Sequence, residues 1–161
     1  AKVFGTRVIA VGRRRSQLER AERMGADELI VNHERTDLVQ TVRDLTGGRG
    51  ADVALEAVGK PETWQQAVKL LRRGGTVNFF GGCPNETRVS FDTSLLHYSE
   101  ISCKASFHHT PAHIRKALDA VSRGDVNATE FINREEPLTN LLEVMRHLMS
   151  HNGHMKTAII P

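Results

Sequence analysis

Short runs of apolar, β-branched residues alternate with segments of helical periodicity along the whole chain, with only a few residues between one and the next. "TRVIAVG" (Thr6 to Gly12) reads as a strand, and from Ser16 to Met24 the apolar Leu18, Ala21 and Met24 recur at helical spacing until Gly25 stops the helix. "ELIV" (Glu28 to Val31) is a second strand, and Leu38, Val39, Val42 and Leu45 mark a helix that ends at Gly47 and Gly48. "ADVALEAVG" (Ala51 to Gly59) is a largely apolar strand. Pro61 then opens a helix with Trp64, Ala67, Val68 and Leu71 on one face, which Gly74 and Gly75 close. "GTVNFFGG" (Gly75 to Gly82) and "ISCKASF" (Ile101 to Phe107) are further strands, while "VSFDTSLLHYSE" has no clear period and is assigned no element. Thr110 and Pro111 cap a helix striped by Ile114, Ala117, Leu118 and Val121. A last helix carries Leu138, Leu141, Leu142, Met145 and Leu148 and leads to the strand "KTAIIP". This alternation predicts an α/β chain of βαβ units: a doubly wound, Rossmann-type parallel sheet covered on both faces. The run from Asn127 to Pro137 is the expected hinge.

At 161 residues the chain is long enough for one well-cored domain. No apolar run is long enough to cross a bilayer and no charged-then-apolar leader is present, so no membrane partner is expected. The formal charge of +3 permits an anionic ligand, but the basic residues form no stripe of the kind nucleic acid needs. Cys83 and Cys103, the only cysteines, have no CxxC spacing; a disulfide framework and a zinc ribbon are both disfavoured, and a reducing cytoplasm is expected.

A dinucleotide-binding sheet usually carries GxGxxG between its first strand and first helix. This sequence has none; Gly48-Arg49-Gly50 lies between a helix and a following strand, the wrong polarity, and reads as a tight turn. Other motifs occur in order: "AKVFGTRVIAV", "MGADELIVN", "LTGGRGADVALEAVG", "AVKLLRRGGTVNFFGG", "LLHYSEISCKASFHHTP" and "MKTAIIP". Together they resemble the cofactor domain of the zinc-containing medium-chain alcohol, polyol and threonine dehydrogenases. The resemblance starts just after the family's first strand and glycine loop. It implies a truncated dinucleotide-binding domain over residues 1–137, with 138–161 returning toward a catalytic domain that this sequence does not contain. The family's catalytic zinc ligands would lie there, so the chain alone is expected to be inactive. In the usual strand order 3-2-1-4-5-6 the missing strand is central. Strands Thr6–Val11 and Asp52–Ala57 then pair anomalously, borrow a strand, or leave a gap. Ile101–Ser106 is the outer edge, through which a homodimer is expected.

Three arginines, Arg13, Arg14 and Arg15, follow Gly12 at the exit of the first strand. Two readings are open: a solvated turn, or a phosphate pocket. The resemblance places Gly12 at the position facing the adenosine ribose, where a small residue followed by arginine accommodates a 2′-phosphate that a carboxylate would repel. It therefore implies NADP in preference to NAD, with Arg13 and Arg14 ahead of Arg15. It also implies that Ala57, Val58 and Gly59 pass under the cofactor, and that Gly81 and Gly82 approach the nicotinamide. Backbone groups at Ser106 and His108 would meet the carboxamide. Lys156 matches a position that reaches the cofactor phosphates, and equally reads as an exposed terminal lysine.

His108, His109 and His113 lie near Cys103, but neighbours on a strand exit point apart, and no metal site is expected in this chain. His147, His151 and His154 read as a late-helix and loop set. No GxSxG or related nucleophile arrangement occurs, and Cys83 reads as a small core-edge residue. The functions that fit are the cofactor-binding part of an oxidoreductase acting on an alcohol or polyol, a non-catalytic NADP-binding or sensor module, and a zinc-free quinone reductase-like relative. A methyltransferase is disfavoured, because it wants a carboxylate where Gly12 stands.

Overall fold

The computed structural model describes residues 1–150 and 156–161, over which strands and helices alternate as predicted. In chain order they are β1 (Ile9–Gly12), α1 (Arg15–Arg23), β2 (Glu28–Val31), α2 (Leu38–Leu45), β3 (Ala51–Glu56), α3 (Pro61–Lys69), β4 (Leu71–Phe79), α4 (Thr93–Tyr98), β5 (Ser102–Ala105), α5 (Pro111–Ser122), β6 (Ile132–Pro137), α6 (Leu141–Met149) and β7 (Lys156–Ile160). Two compact units result, Ala1–Leu29 with His109–Pro161, and Ile30–His108.

β1 and β2 form a two-stranded sheet, β3, β4 and β5 a three-stranded sheet in that order, and β6 and β7 a further pair. The β3–β4, β4–β5 and β6–β7 ladders are all parallel. β1 and β3 belong to separate sheets and do not pair with one another. β5 is the edge strand, exposed along its length.

The core of the Ile30–His108 unit forms where α3 packs on β4. Ala67 and Val68 from the helix meet Leu71, Val77 and Phe79 from the strand, with Ala54, Trp64, Leu95 and Ile101 around them. Burying Val68 and Val77 completely contributes about 1.5–3 kcal/mol each. The pleat sends Ala54 and Glu56 toward this core and Val53 and Leu55 to the opposite face, where they stay 59% and 66% exposed.

Four features depart from the sequence reading. Gly74 and Gly75 do not end α3; the helix stops at Lys69, and Leu71 is already paired with Ala51. The ladder resumes only at Val53 with Thr76, so the two glycines lie in an irregular stretch of β4. The segment without a period contains α4, whose start is fixed by the Asp92 carboxylate accepting from the amides of Ser94 and Leu95 at 2.8 and 3.2 Å. The expected hinge at Asn127–Pro137 instead holds a 3₁₀ turn at Ala128–Glu130 and strand β6, which pairs with β7 from Ile132↔Lys156 to Pro137↔Ile160. Finally, Ile114, Leu118 and Val121 of α5 are exposed, and α6 buries Val144 rather than its leucines.

In the other unit α1 buries Leu18. The Asp27 carboxylate accepts from the Val8 amide at 2.7 Å and from Lys2 Nζ at 2.9 Å, and Arg7 pairs with Glu28 at 2.8 Å. Arg23 of α1 pairs with Glu130 at 3.0 Å. Among the described residues no helix is long and apolar enough to cross a membrane.

Candidate functional site

The ends of β3 and β4 converge on one side chain. Glu56, the last residue of β3, is the only buried charged residue among those described, at 5% exposure. Its Oε1 accepts from the Val58 amide at 2.8 Å, the Gly59 amide at 3.0 Å and the Thr63 hydroxyl at 2.7 Å. Thr63 stands in the first turn of α3, where Pro61 and the extended Lys60 set the entry. The Glu56 carbonyl accepts from the amides of Phe80 and Gly81, at 2.9 and 2.8 Å. One residue thereby fixes both loops, through its side chain on one and its main chain on the other.

The glycines permit the close approach. Gly59 has φ +75°, and a Cβ there would strike the Gly82 carbonyl; a Cβ at Gly81 would strike the Gly59 nitrogen and press on the Glu56 carboxylate. Gly82 has open space around it. Trp64 Nε1–H donates to the Gly81 carbonyl at 2.9 Å, and the indole stacks on Phe79 with centroids 4.0 Å apart. Ala57 and Val58 face outward, Val58 being 64% exposed.

At the end of β5, Ser106 donates its hydroxyl to Asn78 Oδ1 at 3.0 Å and its amide to the Phe79 carbonyl at 3.2 Å. His108 has a left-handed backbone, φ +62°, uncommon for a residue with a side chain, and its ring lies 3.9 Å from that of Phe107. The structure thus brings Val58, Gly59, Gly81 and Gly82 together and sets Ser106 on the neighbouring strand end. Gly12, Arg13, Arg14 and Lys156 belong to the other unit.

There, β1 passes into α1 through only Arg13 and Arg14. All three arginines are exposed but differ in their partners. Arg15 is paired with Glu19 one turn on, at 3.3 Å, whereas Arg13 and Arg14 have no acidic partner among the described residues. Gly12 has a local packing role as well: a Cβ there would lie 3.3 Å from Leu18 Cδ2. Lys156 opens β7, exposed and opposite Ile132 in the ladder.

No group of three potential ligands that could hold a metal occurs among the described residues. His113 has a different task, its amide donating to Thr110 Oγ1 at 3.3 Å in the capping box of α5. His147 lies in the last turn of α6, and His151 and His154 lie outside the described residues. Burial and the nearby Glu56 and Glu62 carboxylates push the Cys83 thiol above its usual value, which opposes a thiolate role.

Over residues 1–123 the chain matches the family described as zinc-binding dehydrogenase. It is 41% identical over 158 residues to an alcohol dehydrogenase of Cupriavidus necator, covering 97% of this chain and 43% of that protein. A zinc-binding dehydrogenase from Sinorhizobium meliloti, solved with NADP bound, superposes with a TM-score of 0.85 at 27% identity, covering 97% of this chain and 45% of the other. An NAD-dependent alcohol dehydrogenase superposes with a TM-score of 0.82, also at 27% identity, covering 100% of this chain and 46% of the other. The chain spans less than half the length of each of these relatives.

Proposed function

The chain belongs to the zinc-binding dehydrogenase family, and on that premise we propose that it holds the dinucleotide of an oxidoreductase that moves hydride between an alcohol or polyol and NADP. The observation that carries the NADP preference is the pair of unpartnered guanidinium groups at Arg13 and Arg14, directly after a glycine. A guanidinium binds phosphate through parallel N–H donors, and Gly12 brings neither bulk nor negative charge to the ribose. Lys156 is a further candidate for the cofactor phosphates.

The residues fit a nicotinamide dinucleotide. Gly59 and Gly81 keep side chains out of the strand-end surface, Ala57 and Val58 form its outward face, and the Ser106 and His108 backbones supply polar groups for the carboxamide. Bound there, the cofactor supplies the hydride acceptor or donor. The residues of this chain bind and orient it; they do not fit zinc, since the described residues offer no ligand set, and no zinc-dependent step is assigned to them. The same observation supports a second reading, an NADP-binding module without chemistry of its own. On the first reading, residues 1–137 act as the cofactor domain, 138–161 serve a catalytic domain carried elsewhere, and the exposed edge Ile101–Ser106 pairs with a second copy.

Calorimetric titration of the chain with NADP⁺ and with NAD⁺ tests the proposal. NADP⁺ is expected to bind at least about tenfold more tightly, the worth of one charge-assisted phosphate contact. Equal affinities, or tighter NAD⁺, would overturn the preference. Assayed with alcohols and polyols, the chain alone is expected to show no turnover.

A further inference from the structure

We draw no further inference here: the strongest candidate, the exposed apolar face of α6 formed by Leu142, Met145 and Met149, carries nothing, because nothing in the structure shows what covers it.

Discussion

Replacing Gly59 by alanine is the sharpest local test of the strand-end geometry. The residue sits at φ +75°, where an L-residue pays about 1–2 kcal/mol, and its new Cβ would strike the Gly82 carbonyl and carbonyl carbon. Both obstacles are backbone, held by the Gly81 amide on the Glu56 carbonyl and by Trp64 Nε1–H on the Gly81 carbonyl. Relief therefore requires the end of β4 to move, which adds about 1–2 kcal/mol of the kind overpacking costs. The sum is about 2–4 kcal/mol, or roughly 4–16 °C in the midpoint for a chain of this size. Gly82→Ala is the matched control: its Cβ meets nothing within 4 Å and should change stability by less than about 0.5 kcal/mol. Urea denaturation followed by fluorescence of Trp64, the sole tryptophan, reads both variants at the affected strand end. A Gly59→Ala variant within about 0.5 kcal/mol of wild type, or no worse than Gly82→Ala, would refute the close approach of the two loops.

Other expectations follow from the same geometry. Val77→Ala should destabilise by about 1.5–3 kcal/mol in the same assay, since its side chain is fully enclosed between α3 and β4. Thr110→Ala removes the acceptor for the His113 amide and should cost about 1 kcal/mol, visible as loss of helical circular dichroism at lower denaturant. Four carboxyls are held below the ordinary range: Asp27 by the Val8 amide and then Lys2, Asp52 by Arg72, Glu130 by Arg23, and Glu136 by Asn140 and Arg134. The unfolded chain binds their protons more readily, so the stability they add is complete above about pH 4–5 and is lost as pH falls through their lowered values. Thermal midpoints should drop between pH 6 and pH 3, and a midpoint that stays level or rises on acidification would contradict these pairings.

Much of the fold was legible because burial and period coincide in it. α3 and β4 show this best: the alternation of Val77 and Phe79 meets the helical stripe of Trp64, Ala67 and Val68, and these residues do form the core. α4 was not legible, because six residues with two adjacent leucines show no period; its signal was the Asp92 cap. Gly74 and Gly75 misled for a related reason, since glycine stops a helix and permits an irregular strand equally well. The stripes of α5 and α6 show the limit of periodicity, which reports what a helix can bury but not what covers it. At the candidate site, the glycines were visible as residue types and the Glu56 latch was not. Its signal was a lone acid in the otherwise apolar strand end before Gly59, with a threonine seven residues on.

On the proposed function, Arg13 and Arg14, but not Arg15, read the phosphate that separates the two cofactors. The direct measurement is the ratio Kd(NAD⁺)/Kd(NADP⁺) for wild type, for Arg13→Ala/Arg14→Ala, and for Arg15→Ala. A ratio of about ten or more is expected in wild type, collapse to near one in the double variant, and retention in Arg15→Ala, whose guanidinium is committed to Glu19. A ratio that survives the double variant, or falls equally when Arg15 is removed, would contradict it.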